Sequence, residues 1–86
     1  RMHLSPHFTL EELIHSNTAK AEGIPNQPGP AEVARLQALC QAILEPLREA
    51  IGGAIKVNSG YRGPKLNARL KGQPTSQHLA GEAADI

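Results

Sequence analysis

Apolar residues recur every three or four positions through the middle of the chain, from Pro30 to Ile51. The recurring positions are Val33, Leu36, Leu39, Cys40, Ile43, Leu44, Leu47 and Ile51. This spacing places them on one face of an α-helix of about six turns. Pro46 lies inside that helix and cannot donate the usual backbone hydrogen bond, so we expect a bend or a local break there. Gly52 and Gly53 predict the end of the helix.

Shorter elements are predicted on both sides of this helix. Thr9 and Glu12 have the spacing of a capping box, which predicts that a short helix begins between them. Ile55 and Val57 alternate with polar residues, as in a half-buried strand. The predicted elements are a helix over residues 10–15, a strand over 55–57, a helix over 65–70 after Pro64, and the start of a second strand over 83–86.

The order of these elements predicts an α+β fold rather than an alternating α/β sheet. We expect one domain over residues 1–86, with the long kinked helix packed on a small antiparallel sheet that contains Ile55 and Val57. Residues 1–7 are predicted to be an irregular lead-in, and residues 16–28 a loop because they carry few apolar side chains. Phe8 and Tyr61 are the only aromatic residues, so the core must be mostly aliphatic.

Composition excludes several classes of function. The formal net charge of the 86 residues is +1, which is too weak to attract nucleic acid or an anionic membrane. No apolar run approaches the roughly 20 residues that a membrane-spanning helix needs. Cys40 is the single cysteine, so an internal disulfide and a cysteine-cluster zinc site are both excluded. Its place in the apolar helical pattern predicts a buried, inert thiol.

A histidine and a carboxylate lie seven residues apart near the end of the sequence, at His78 and Asp85, with Gly81 between them. Neutral imidazole and carboxylate oxygen are both good zinc ligands. A glycine can turn the backbone in a way that aims both side chains at one point. By spacing alone, His78 can equally be a surface or core histidine, and Asp85 a turn or capping carboxylate.

The segment around these two residues, Ser76-Gln77-His78-Leu79-Ala80-Gly81-Glu82-Ala83-Ala84-Asp85, resembles the zinc-binding signature of the D-Ala-D-Ala carboxypeptidase family. That family includes bacterial cell-wall peptidases and phage endolysins, and its fold is shared with the Hedgehog signalling domain. Ser59-Gly60-Tyr61-Arg62 with Asn67 resembles the family's second signature. Phe8 to Glu12 and Ile24-Pro25-Asn26 resemble its phage-associated branch. Glu82 departs from the pattern, since a basic residue is common there in relatives.

The resemblance implies roles for individual residues. His78 and Asp85 would be zinc ligands. Arg62 would face the same cleft and pair with a substrate carboxylate or a developing oxyanion; the alternative is a solvated loop cation. Ser76 would bind substrate or steady the metal loop, with simple turn chemistry as the alternative. Asn67 would tie down the loop between the two signatures.

The other candidate side chains are expected to lie in the core or at the surface rather than at the metal. Tyr61 is expected to fill the core; the alternative is that it supports the wall of the cleft. His3, His7 and His15 lie outside both signatures, and we expect them at the surface rather than at a metal.

The function that the resemblance implies is a zinc peptidase of bacterial or phage origin that cuts cell-wall peptides, as a D,D-carboxypeptidase or an endolysin. In relatives, a third ligand and a catalytic base come later in the chain. We therefore expect them beyond Ile86, and we expect this chain alone to bind zinc weakly and to be inactive. Open strand edges at 55–57 and 83–86 would permit self-association. The rival function is a non-catalytic cell-wall-binding or structural phage module.

Overall fold

A two-stranded antiparallel sheet and five α-helices form the part of the chain described by the computed structural model, residues 2–86. In chain order they are β1 (His3–Ser5), β2 (Phe8–Thr9), α1 (Leu10–Ile14), α2 (Asn17–Glu22), α3 (Pro30–Leu39), α4 (Glu45–Ile51) and α5 (Pro64–Arg69). A π-helical turn over Cys40–Leu44 joins α3 to α4, and a 3₁₀ turn covers Gln77–Ala80. The predicted α+β class is confirmed.

The first strand of the sheet is made by residues that the sequence predicts to be irregular. β1 and β2 pair with His3 opposite Thr9 and Ser5 opposite Phe8, with an irregularity between the two pairs. The prediction of an irregular lead-in over residues 1–7 is therefore wrong for His3–Ser5; Arg1 lies outside the described residues. Three residues are too few to show an alternating pattern. The buried Leu4 side chain holds this hairpin on the core instead.

Glu45 fastens the hairpin to the start of α4. One carboxylate oxygen accepts hydrogen bonds from the Ser5 hydroxyl at 2.6 Å and from the His7 backbone N–H at 2.8 Å. The other lies 2.7 Å from Nδ1 of His7. The hydrogen bond from Ser5, helped by those from His7, lowers the pKa of Glu45 to about 2. This carboxylate thus links two segments about 40 positions apart in the sequence.

The helix α1 begins as the capping box predicts. The Thr9 hydroxyl accepts a hydrogen bond from the backbone N–H of Glu12 at 3.3 Å, and the Thr9 backbone N–H donates to the Glu12 carboxylate at 3.1 Å. The chain leaves the helix at His15, which is extended. The prediction of a helix over residues 10–15 is confirmed to within one residue.

A second short helix, α2, lies where a loop was predicted, so the loop prediction for residues 16–28 is wrong over Asn17–Glu22. Its ends are defined by caps rather than by an apolar face. The Ser16 hydroxyl accepts from the backbone N–H of Ala19 at 3.2 Å, and Gly23 ends the helix in the left-handed conformation at φ +65°. Ala19 is the one residue of this helix that is buried.

The long helix runs from Pro30 to Ile51 as predicted, but its irregularity precedes Pro46. The backbone N–H of Glu45 bonds to the carbonyl of Cys40, five residues back, instead of four. Pro46 has no N–H to offer the preceding turn, and a wider π turn accommodates that missing donor. Gly52, at φ +80°, closes the helix as expected.

The core lies between this helix, the N-terminal third of the chain and the segment that follows the helix. Its buried members are Leu4, Phe8, Leu13, Leu36, Cys40, Leu44, Val57 and Tyr61. The Cys40 thiol is fully buried, and burial together with the nearby Glu45 and Glu12 charges raises its pKa to about 11. No helix in the described part of the chain is long and apolar enough to cross a membrane.

The predicted strand over Ile55–Val57 is wrong in its pairing, although its alternation of buried and exposed residues is correct. Backbone hydrogen bonding begins only at the next residues: the N–H groups of Asn58 and Ser59 donate to the Asp85 carbonyl at 2.8 and 3.3 Å. Asp85 returns a bond from its N–H to the Ser59 carbonyl at 2.7 Å. The expected second strand over residues 83–86 is likewise reduced to this single bridge at Asp85. The bridge brings the two signature segments side by side.

Candidate metal centre

The first wall of the site is the loop from Ser59 to Gly63, which precedes α5. The N–H of Tyr61 donates to the carbonyl of Leu13 at 2.7 Å. The side-chain amide of Asn26 donates to the carbonyls of Ile14 and Tyr61, at 2.7 and 3.1 Å. Carbonyls in the last turn of a helix have no partner within the helix. Those of α1 are therefore free to anchor the site loop.

The second wall is the 3₁₀ turn over Gln77–Ala80. Ser76 caps it, accepting the N–H of His78 at 3.2 Å, and Gly81 closes it at φ +79°. A Cβ at Gly81 would come within 2.7 Å of the Glu32 carbonyl of α3. Nε of Arg35, also on α3, donates to the carbonyl of Ala80 at 2.5 Å. The turn is thus pressed against the long helix.

His78 lies between these walls, with one ring nitrogen hydrogen-bonded to the backbone and the other facing Asp85. Only 9% of the residue is exposed. Its Nδ1 lies 2.7 Å from the carbonyl oxygen of Gly60. Because a carbonyl only accepts hydrogen bonds, Nδ1 carries a proton, and in the neutral ring Nε2 therefore presents a lone pair. Zinc-binding histidines are typically oriented in this way, with the second nitrogen donating to a carbonyl or a carboxylate.

The lone pair of His78 faces Asp85. Nε2 lies 3.6 Å from Oδ2 of Asp85, whose side chain is 65% exposed. Two ligands in a tetrahedral zinc site, each at 2.0–2.2 Å, are separated by about 3.4 Å. The two residues therefore fit a shared metal ion. No group of three histidine, cysteine or acidic residues suited to a metal occurs among residues 2–86.

Arg62 lies beside the 3₁₀ turn. Its backbone N–H donates to the carbonyl of His78 at 3.1 Å, and Nη2 donates to the Ser76 hydroxyl at 3.3 Å. Its Nε is buried without a partner among the described residues. Arg62 borders a cavity of about 240 Å³ whose polar wall includes Asn58 and Ser59. Neither His78 nor Asp85 lines this cavity, so a cleft shared by all three residues stays a prediction.

A family model described as Peptidase M15 matches residues 6–86, which include both signatures and the N-terminal segments that resemble the family. The chain belongs to the peptidase M15 family. The resemblance inferred from the sequence is thereby confirmed. No curated protein and no solved structure matches the chain.

Peptidases of the M15 family are generally zinc-dependent. In this M15 chain the donor types at His78 and Asp85 are those that zinc prefers in a catalytic site: neutral nitrogen and carboxylate oxygen. The thiol of Cys40, a third donor type, is fully buried in the core and forms no metal-binding group with them among residues 2–86. The two-residue pair therefore fits part of a zinc site, and the described residues add no third member.

The remaining predicted residues take structural positions. Asn67 is buried and donates from Nδ2 to the carbonyl of Gln73 at 2.9 Å, which ties down the loop that leads to the 3₁₀ turn. Tyr61 is buried in the core, and burial, with the Glu32 charge adding to it, raises its pKa. The other histidines, at positions 3, 7 and 15, are exposed.

Asn26 is the residue of this M15 site that sequence reasoning missed. In the sequence it stands out only as part of the Ile24-Pro25-Asn26 resemblance. Yet it is buried, and besides its two donated bonds its Oδ1 accepts from the N–H of Gly63 at 2.7 Å. A signal was present in the asparagine after a proline in a polar segment, but that pattern is also typical of an ordinary turn.

Proposed function

We propose that this M15 chain uses His78 and Asp85 as two ligands of a zinc centre in a peptidase that acts on bacterial cell-wall peptides. The observation that carries the proposal is the orientation of His78. Its Nδ1 proton is held by the Gly60 carbonyl, and its Nε2 lone pair lies 3.6 Å from the Asp85 carboxylate.

The chain's own residues prepare this pair for a metal. The Gly60 carbonyl fixes both the tautomer and the ring plane of His78, so little ordering remains to be done on binding. The backbone bridge to Ser59 fixes Asp85, although its carboxylate reaches solvent and is open to a substrate. When bound, zinc would polarise the scissile carbonyl and activate a water molecule.

Arg62 and Ser76 are proposed to bind the substrate. The Ser76 oxygen accepts hydrogen bonds from Arg62 Nη2 and from the His78 N–H. The hydroxyl proton of Ser76 is therefore left to donate outward. Arg62 borders a polar cavity, and because its Nε is buried, the N–H groups on Nη1 and Nη2 are the donors left for a ligand. Together they supply donors for a carboxylate or for the oxyanion that develops during peptide cleavage.

The finer assignments rest on the resemblance. We propose that the bond cleaved belongs to the peptide of the cell wall, in the manner of a D,D-carboxypeptidase or an endolysin. A third ligand and a catalytic base that follow Asp85 would complete the centre. Self-association through open strand edges stays a prediction, since the pairing near Ile55–Val57 starts only at Asn58.

A second candidate is a non-catalytic module that keeps the fold and binds the cell wall. The two metal-binding side chains found among residues 2–86 are compatible with this module as well as with a peptidase whose third ligand follows Asp85. A two-ligand site holds zinc weakly, because most of the ion's coordination remains water.

Calorimetry with zinc tests the metal centre. We expect weak one-to-one binding to this chain, and loss of that binding in His78→Ala and Asp85→Asn. His3→Ala is the matched control, because His3 is exposed and lies in the hairpin, away from both signatures. If His78→Ala binds zinc as the unaltered chain does, the proposed centre is wrong.

Hydrolysis of a peptide ending in D-Ala-D-Ala separates the two candidate functions. It is measured on this chain and on a chain lengthened by a segment in which an acid is closely followed by a histidine. We expect zinc-dependent cleavage by the lengthened chain only. Tight zinc binding without cleavage by that chain would favour the non-catalytic module.

A further inference from the structure

We propose that Asn26 is a positioning residue of this site, acting through the Ser59–Gly63 loop on both Arg62 and His78. Its hydrogen bonds to the loop are observed in the structure. Its importance for zinc and substrate rests on the proposed function.

The amide of Asn26 bridges three backbone groups from two distant parts of the chain. Nδ2 donates to the Ile14 carbonyl at the end of α1 and to the Tyr61 carbonyl, and Oδ1 accepts from the N–H of Gly63. The residue is 9% exposed. Water therefore has little access to replace these bonds, and their loss would leave buried backbone groups unpaired.

The two loop groups that Asn26 holds flank Arg62 on either side. With the Tyr61 carbonyl and the Gly63 N–H both fixed, the backbone of Arg62 cannot rotate freely. The N–H of Arg62 in turn donates to the carbonyl of His78 at 3.1 Å. Asn26 thus restrains the segment that presents the guanidinium and that borders the metal-binding turn.

The same restraint reaches the ring of His78. The carbonyl that receives the Nδ1 proton belongs to Gly60, next to the held Tyr61. A Cβ at Gly60 would collide with the Leu13 carbonyl, so the loop is pressed on α1 at this point. A shift of the loop would move the Gly60 carbonyl, and His78 would lose the contact that selects its tautomer.

Only an amide of this length satisfies all three partners. The groups to be matched are two carbonyls and one N–H, and an asparagine side chain offers both donors and an acceptor. An aspartate has nearly the same shape but would turn a carboxylate oxygen toward two carbonyl oxygens. Asn26→Asp is therefore the sharpest test, and Asn26→Ser, which is too short to bridge, is the second variant if the first does not fold.

Glu45→Ala is the matched control. Like Asn26, Glu45 makes three hydrogen bonds between segments far apart in sequence, but its partners are Ser5 and His7 in the hairpin. Asn26→Asp loses the two donated bonds but can still accept from the Gly63 N–H, whereas Glu45→Ala loses three bonds, so the control is at least as disruptive. A purely structural role for Asn26 would therefore give the same result as the loss of Glu45.

Two readouts are measured on the metal-free and the zinc-titrated chain. Nitrogen NMR shifts of the neutral His78 ring report which nitrogen carries the proton, and calorimetry reports zinc affinity. We expect the Nδ1-protonated form to dominate in the unaltered chain and in Glu45→Ala. In the Asn26 variants we expect a mixture of tautomers and zinc affinity lowered by about 10–100-fold, the usual effect of losing an outer-shell contact.

The outcomes separate this inference from the proposed function. If the Asn26 variants keep the tautomer and the zinc affinity of the unaltered chain, Asn26 is not a positioning residue, while the zinc centre stands. If Glu45→Ala changes both as much as the Asn26 variants, the effect is general loss of structure and the inference fails. If no chain binds zinc, the proposed centre fails, and the tautomer alone decides the role of Asn26.

Discussion

Replacing Gly81 with alanine tests how closely the metal-binding turn is pressed on the long helix. Gly81 ends the 3₁₀ turn at φ +79°, a left-handed backbone conformation that residues with a side chain rarely adopt. The new Cβ would lie 2.7 Å from the Glu32 carbonyl oxygen and 3.2 Å from Cγ of Leu36. The carbonyl belongs to the backbone of α3, so it cannot move aside as a flexible side chain would.

The expected loss of stability has two parts. A non-glycine residue in the left-handed conformation costs about 1–2 kcal/mol. Forcing a carbon into an occupied space costs about 1–3 kcal/mol more. Proteins of this length are stable by roughly 4–13 kcal/mol, from about 0.05–0.15 kcal/mol per residue. The substitution should therefore remove a large part of the folding free energy, by about 2–5 kcal/mol.

Gly52→Ala is the matched control for the steric part. Gly52 has nearly the same φ, +80°, but a Cβ there would meet no atom within 4 Å. Urea denaturation followed by circular dichroism gives the free energy of unfolding of each variant. We expect Gly81→Ala to lose at least 1 kcal/mol more than Gly52→Ala, on the order of the overpacking cost. Equal losses would refute the close contact between the turn and α3.

Two further predictions concern ionisable groups away from the site. The hydrogen bond from Ser5 helps to lower the pKa of Glu45 from 4.5 to about 2. Because the folded state favours the ionised carboxylate, Glu45 stabilises the fold fully above pH 4.5 and ceases to do so as the pH falls through 2. Glu45→Gln should flatten the acid side of a stability-versus-pH curve from urea denaturation, and an unchanged slope would contradict this. Burial raises the pKa of Cys40 from 9.0 to about 11, which means that the folded state favours the neutral thiol. The folded state therefore keeps its full stability below pH 9.0 and loses this contribution as the pH rises through 11. A thiol reagent at pH near 8 should label Cys40 only in denaturant, and rapid labelling of the folded chain would count against its burial.

Sequence patterns that act over a few residues predicted the structure well. The capping box at Thr9 and Glu12 gave the start of α1, because both of its hydrogen bonds close within four residues. Gly52 marked the end of the long helix for the same reason: its left-handed conformation is a local property. The two signatures were also recognisable locally, and they include His78 and Asp85.

What the sequence did not reveal depends on contacts between distant segments. Nothing near Asn26 shows that its amide will bridge Ile14 and Gly63, the latter 37 positions away. The β1–β2 hairpin is similar, since Glu45 fastens it from 40 positions along the chain. The strand predicted at Ile55–Val57 failed for the converse reason: its alternation is local, but a ladder needs a partner, and pairing starts only beyond Val57.

The brevity of α1 has a consequence for attempts to stabilise this protein. The helix stops at Ile14, and the carbonyls of Leu13 and Ile14 then bond to the Tyr61 N–H and the Asn26 amide. One more helical turn would direct those same two oxygens to the N–H groups of Asn17 and Thr18. Helix-favouring substitutions at His15 and Ser16 would thus compete with the loop for its acceptors. A more regular, more stable α1 would be obtained at the expense of an ordered site.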